Sequence, residues 1–329
     1  MKRSRQFVIG ALALTAAGLA DMRKAPSHAD TYPTRAVRIV VPAGPGGPSD
    51  VIARLIAPKL SQSLGQPFVV ENQPGGANNI GIGNAARAAA DGYTLLLVGS
   101  NFAINPGLFA KIPYDPIKDF APVTLAAVSP AVLVVHPSIP ARDVKELIAV
   151  IKANPKAYTY ASSGVGTTGH LAGEQLKLSQ GVDLVHVPFN GSGPAIQSTL
   201  AGHTPITFAA LTAVVSLVKD GKLRALAVTT PKRSAALPEV PTLAESGLDE
   251  LEADVPQSIL APSGTPMPIV VLLHQKIADA LSQPDVQAKL AAIGFEAVAS
   301  SPEAFAIRLK AEIPKWAKVI KDAGIARIE

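Results

Sequence analysis

The sequence predicts an α/β protein of two lobes, each a sheet flanked by helices. Three observations carry this reading. Apolar runs of strand length alternate with segments of helical period, the alternation halts and restarts near residue 131, and Gly-rich turns follow strand-like runs in both halves. Such alternation implies parallel sheets joined by right-handed crossovers.

The first half opens with VRIVVP (Val37–Pro42), a buried strand, and a helix over Ser49–Leu64 follows it. Pro58 falls inside that helix and removes a hydrogen bond, so a kink or a shortened helix is expected. A second strand, PFVVEN (Pro67–Asn72), leads through a loop to a helix in NNIGIGNAARAAA, and TLLLVGS (Thr94–Ser100) is a third strand. After APVTLAAVSPAVLVVHP the pattern begins again. Helix DVKELIAVIKAN, strand YTYASS, helix LAGEQLKLS, strand DLVHVP, helix AIQSTLAG, strand PITFAA, helix TAVVSLVKDG and strand RALAVT follow in order. A Pro-rich stretch and three helical segments close the chain, the last with an internal proline at 314. These late helices come after the second unit is complete, so they are expected to pack back on the first. The crossings between lobes then lie near Ala131 and Val255. Residues 30–130 plus 255–329 form one lobe and 131–254 the other.

The N-terminus fits neither lobe. Lys2, Arg3 and Arg5 precede an apolar run from Phe7 to Ala20, and a small-residue SHA ends at Ala29. The run is short for a membrane span, so residues 1–29 read as a secretory signal peptide cut near Ala29. Its loss changes the charge balance. The leader holds five of the 30 basic residues and one of the 25 acidic ones, so the mature chain carries 25 against 24. A near-neutral exported protein has no electrostatic case for binding nucleic acid or an anionic membrane. The chain has no cysteine, which excludes disulfides, thiolate nucleophiles and Cys-type metal sites.

In doubly wound folds, ligands bind beyond the carboxyl ends of the strands. Four loops qualify: PAGPGGPSD (Pro42–Asp50), QPGGANN (Gln73–Asn79), SSGVGTTGH (Ser162–His170) and PFNGSGP (Pro188–Pro194). None is a P-loop, because no Gly-Lys-Ser/Thr follows a glycine run. The dinucleotide fingerprint is only partial: Gly44 and Gly46 are spaced correctly and Glu71 could meet a ribose, but Ser49 occupies the third glycine position. Neither G-x-S-x-G nor H-E-x-x-H occurs, and the six histidines are scattered. His186 reads as a hydrogen-bonded core or strand-end histidine. His170 could touch a ligand, or it could cap or pack. No catalytic residue, metal site or cofactor is therefore expected.

What remains is backbone and hydroxyl chemistry. Glycines let main-chain N–H groups converge on an oxyanion. Ser49, Ser162, Ser163, Thr167 and Thr168 add hydroxyls, and Asn78, Asn79, Asn101 and Asn190 add amides. Ser49 and Thr167 would serve equally as helix N-caps. Asp50 would compete with a bound anion, so it reads as structural, holding the first loop by accepting N–H bonds. Loops from two lobes facing across a cleft would trap a small anionic solute by hinge closure.

Many collinear stretches now bear on the family. YPTRAVRIVVP, LGQPFVVENQPGGANNIG, ADGYTLLLVGS, INPGLFAKIPYDPIKDFAPVT, VDLVHVPFNGSGPAI, GKLRALAVTTPKRSAALPEVPTLAESG and WAKVIKDAGI resemble the tripartite tricarboxylate transporter substrate-binding proteins, the Bug-type receptors, over essentially the whole mature chain. The resemblance implies a two-lobed periplasmic binding protein of type II, with its ligand in the interlobe cleft. It implies a receptor, expected to be monomeric, that delivers a small carboxylate solute to integral membrane transporter subunits and performs no chemistry. It maps carboxylate binding onto Gly46, Gly47 and Ser49 of one lobe, and onto Ser162, Ser163, Thr167 and Thr168 of the other. Pro45, Asn78, Asn101, Phe189 and Ala209 complete the candidate set.

The chain departs from the family pattern at four places. Ala43 stands where an aromatic is usual after VVP, and Phe189-Asn190-Gly191 where many relatives have Tyr-Lys-Gly. Ala209 replaces an acidic residue, and Gln257 and Ser258 replace an aromatic-rich stretch. A roomier, less charged cleft is expected, holding a larger or aromatic carboxylate rather than aspartate, glutamate or citrate. The alternatives are an extracytoplasmic hydrolase, for which no Ser–His–acid spacing announces itself, and a ligand-sensing adaptor for a membrane sensor.

Overall fold

The computed structural model describes residues 32–248, 251 and 253–329. The expected leader, residues 1–29, lies outside the described residues.

In chain order the elements are β1 (Val37–Val41), α1 (Pro48–Leu64), β2 (Phe68–Asn72), α2 (Asn79–Ala86), β3 (Thr94–Val98), α3 (Asn101–Leu108) and β4 (Phe120–Ser129). There follow β5 (Ala131–Val135), α4 (Val144–Ala153), β6 (Thr159–Ser162), α5 (Thr168–Gln180), β7 (Val185–Pro188), α6 (Ser192–Leu200), β8 (Ile206–Ala210), α7 (Leu211–Lys219) and β9 (Arg224–Val228). The chain ends with β10 (Val255–Pro262), α8 (Met267–Leu281), α9 (Pro284–Ala292), β11 (Glu296–Ala297) and α10 (Pro302–Asp322).

Two sheets result. The first has the order β11-β4-β10-β3-β1-β2, the second β7-β6-β8-β5-β9. β1 lies parallel to both β2 and β3, and β6 parallel to both β7 and β8. In each sheet the parallel strands therefore send their following helices off from one shared edge. The antiparallel members are β10, between β3 and β4, the short edge strand β11 beside β4, and β5, between β8 and β9.

Alternation along β1 shows why the first sheet is covered on both faces. Val37, Ile39 and Val41 meet Ile52, Ile56 and Leu60 of α1 and Ile269, Leu273 and Ile277 of α8. Val40 points the other way, to Ile82, Phe102, Phe305 and Leu309. The same arithmetic of period two against period 3.6 builds the second sheet, where Leu133, Val135 and Ile206 pack on Leu147, Ile151 and Leu171. Pro58 does not shorten α1, which runs unbroken to Leu64. Ile56 and Leu60, on either side of that proline, are fully buried, and this packing outweighs one missing hydrogen bond.

The last helix differs from expectation. α8 and α9 pack on the first sheet, but α10 serves both halves. Phe305 and Leu309 join the first-sheet core, while Trp316, Val319 and Ile320 enter the second-sheet core beside Leu171 and Leu176. Its 21 residues extend about 30 Å at 1.5 Å each, enough to bridge the two. α3 behaves likewise, with Phe102 in one core and Ile104 and Leu108 in the other.

The chain passes between the sheets at Pro130 and again just before Val255, and these passages are neighbours, since Ser129 and Val255 pair in the β4–β10 ladder. One buried hydroxyl ties them: Thr229 Oγ1 accepts from the Ala131 N–H at 3.1 Å and donates to the Ala253 carbonyl at 2.7 Å. Replacing Thr229 by valine keeps the shape and removes both bonds, so the expected loss of stability is about 1–3 kcal/mol, measurable by urea denaturation.

Candidate functional site

A cavity of about 250 Å³ opens between the two sheet edges. Pro48, Ser100 and Asn101 line it from the first-sheet side. Ser163, Gly166, Thr167, Thr168, Gly169 and Ser192 line it from the second, and Ala131, Ala195, Ile196, Thr207–Ala210 and Val255 complete the wall and floor. No Lys, Arg, His, Asp or Glu is among these residues.

The geometry follows from parallel pairing. α1, α3, α5, α6 and α7 all begin at this cavity, because Pro48, Asn101, Thr168 and Ser192 are first residues of helices and Ala210 directly precedes one. A helix start carries unpaired N–H groups and about half a positive charge. Only α5 of the five has a side-chain cap, from Thr167; the caps Gly47, Ser100, Gly191 and Ala210 offer none. Among the helices that begin elsewhere, α4 and α10 are capped by Asp143 and Ser301, while α2, α8 and α9 have no side-chain cap. The cavity thus concentrates donors without a formal charge, and hydroxyls of Ser100, Ser163, Thr167, Thr168, Ser192 and Thr207 surround them. Thr168 donates to Ser100 Oγ at 3.1 Å across the gap.

Of the candidate residues, Asn101, Ser163, Thr167, Thr168 and Ala209 meet in this cavity. Pro45, Gly46, Gly47, Ser49, Asn78, Ser162 and Phe189 lie outside its lining. Pro45 and Gly46 are exposed on the first loop. Ser49 is buried and donates to Gln257 Oε1 at 2.6 Å; Gly47, not Ser49, is the cap of α1. Asn78 reaches the site only through its bond to Asn101 Oδ1, at 3.3 Å. The hydroxyl of Ser162 turns inward, 3.0 Å from the Gly164 carbonyl and 2.7 Å from His186 Nε2. That Ser–His pair was invisible in the sequence, and Ser162 is too buried to attack a solute. Ser100 and Ser192 were missed although the strand-end rule covers both: Ser100 follows β3, and Ser192 lies in the fourth loop.

Asp50 holds the first loop as the sequence suggested. Its carboxylate accepts from the Gly46 N–H at 2.9 Å, from Arg54 Nε at 3.0 Å and from Asn72 Nδ2 at 2.9 Å. The Arg54 bond, then the Gly46 N–H and Asn72, hold its pKa down at about 2. The ion pair also cancels a negative charge that would oppose an anion at the start of α1.

Two glycines are needed here. Gly166 sits at φ +75°, and a Cβ would fall 2.2 Å from Leu108 of α3. A Cβ on Gly169 would lie 2.4 Å from the Phe208 carbonyl oxygen, so only glycine lets α5 start against the end of β8.

A family profile described as "Tripartite tricarboxylate transporter family receptor" matches residues 52–325. The chain belongs to this family. Its members are solute-binding receptors and not enzymes, and the two-sheet α/β architecture is that of periplasmic solute-binding proteins. The chain is 37% identical to Protein BugT of Bordetella pertussis strain Tohama I over 326 residues, covering 98% of this chain and 99% of that one. It resembles the solved structure of Rhodopseudomonas palustris Rpa4515 with adipate, at 38% identity and TM-score 0.75, covering 90% of this chain and 100% of the other. MatC from Rhodopseudomonas palustris with bound malate is 32% identical, with TM-score 0.71 over 88% of this chain and 100% of the other.

Two outcomes are expected. The folded Asp50 carboxyl ionises below its ordinary value of 3.8, so its stabilisation is complete above about pH 4 and is lost as pH falls through about 2. Asp50→Asn should therefore cost about 2 kcal/mol at neutral pH and flatten that acid limb, as read by urea denaturation across pH. Gly169→Ala should lower stability by about 1–3 kcal/mol and weaken solute binding as α5 is pushed off β8, read by calorimetry.

Proposed function

We propose that this protein captures a small carboxylate-bearing solute in the interlobe cavity and delivers it, as a monomer in the periplasm, to integral membrane subunits of a tripartite tricarboxylate-type transporter. The leader would direct export and be cleaved near Ala29, and the two lobes would divide near Ala131 and Val255. The observation that carries the reading is the convergence of five helix starts, four without a side-chain cap, on a cavity lined by hydroxyls and no charged side chain.

A carboxylate suits such a site. It accepts several N–H and O–H bonds at once, and closure strengthens them by excluding water. The adipate and malate carried by the two relatives in their solved structures support the same class of solute. The floor favours bulk elsewhere in the molecule. Ala131, Ala195, Ala209 and Ala210 are all small, and they pair the donors with an apolar wall that includes Ile196 and Phe208. The preferred solute is therefore a larger or aromatic carboxylate rather than aspartate, glutamate or citrate.

Thermal denaturation with a panel of carboxylates tests this. A solute present at about 100 times its dissociation constant should add about 2.7 kcal/mol, visible as a raised melting temperature. Benzoate and 2-naphthoate should give the largest shifts and adipate a smaller one, and Thr168→Val should weaken binding about tenfold in affinity. Stabilisation by aspartate, glutamate and citrate alone would overturn the size preference. No response to any carboxylate would overturn the capture reading.

A further inference from the structure

The turn between β6 and α5 gives the cavity Ser163, Gly166, Thr167 and Thr168, yet its backbone is intrinsically loose. Gly164 sits at φ +140° and Gly166 at +75°. Glycines in such regions leave a turn with many alternatives unless something outside it restricts them.

Two imidazoles behind the turn supply that restriction. His170 Nδ1 accepts the Gly166 N–H at 3.0 Å, and His186 Nε2 lies 2.7 Å from Ser162 Oγ, which also accepts from the Gly164 N–H at 3.2 Å. The rings stack with centroids 3.9 Å apart and planes 18° from parallel. On the far side Tyr160 lies against His186, and its hydroxyl donates to Glu174 at 2.7 Å. Glu174 is ion-paired with Lys177. The charged and titratable groups facing the pair are thus Tyr160, Glu174 and Lys177.

We propose that His170, backed by His186, is a positioning residue for solute binding: its neutral ring, protonated on Nε2, holds the Gly166 amide and with it the cavity-lining turn, and a second proton on Nδ1 releases both. A proton arriving at Nδ1 occupies the lone pair that accepts the Gly166 hydrogen, so the bond and the charged ring are mutually exclusive. The stack adds a second restriction, since two imidazolium rings at this separation repel. Burial first, and then Lys177, push His170 down to about 4, and burial and the neighbouring His170 do the same for His186. The turn therefore stays fixed through the neutral and mildly acidic range. This inference rests on the cavity being the carboxylate site.

The test uses the full chain with adipate as the probe. His170→Asn keeps an acceptor near the Nδ1 position and cannot titrate; His170→Leu removes the acceptor. Adipate protonates in the same range, but identically for every variant, so affinity ratios isolate the protein. Wild type should match His170→Asn at pH 7 and bind adipate about fourfold more weakly than it at about pH 3.5. His170→Leu should bind more weakly at every pH. In parallel, the Gly166 amide resonance of the unliganded protein should move with the His170 ring titration. A Gly166 amide that stays fixed while His170 takes its proton would overturn the proposal, as would a wild-type to His170→Asn ratio independent of pH. If adipate binds at no pH, the failure lies with adipate as solute, and the Gly166 resonance still decides the role of His170.

Discussion

Parallel pairing of β1 with β2 and β3, and of β6 with β7 and β8, forces the helices that follow these strands to begin on one edge of each sheet. Helix starts are where amide donors go unpaired, and they must find partners in water, side chains or a guest. Two such edges face each other here. The antiparallel strands β10 and β5 do not add to the donors; with β4 they carry the chain through the junction between the sheets. The site is in this sense a by-product of topology, and the side chains only trim it.

The trimming is mostly removal of charge. Asp50 is buried at the start of α1, where it would repel an anion, but Arg54, Asn72 and the Gly46 amide consume its capacity. The imidazoles behind the second turn are held neutral. With no ionised group on the wall, the field in the cavity comes from peptide dipoles fixed by the fold. Fixed dipoles cost nothing to reorganise when a guest arrives, whereas a lysine would have to be ordered around it. Selection among guests is then left to the shape of a wall built largely of alanine.

Most of this frame was legible in the sequence where order along the chain and order in space coincide. β1, α1, β2 and β3 follow from apolar runs and glycine breaks, and β6 to β9 likewise. Where pairing is distant the sequence was silent. β10 inserts between β3 and β4 with Val255 opposite Ser129, and no local pattern encodes that register. Ser49 found Gln257, a partner 208 residues away, and so was lost to the cavity. The residues that met at the site were those whose loops lie directly at the facing edges. Pro45 and Gly46 belong to the same kind of loop but stand exposed on it, outside the cavity lining.

The sharing of α10 between both cores ties the integrity of one half to that of the other. Without this helix, apolar surface around Leu171 and Leu176 on one side and Ile82 and Phe102 on the other would be uncovered. Loss of α10 would uncover apolar surface in both halves at once, so a single deletion would weaken the two sheets together.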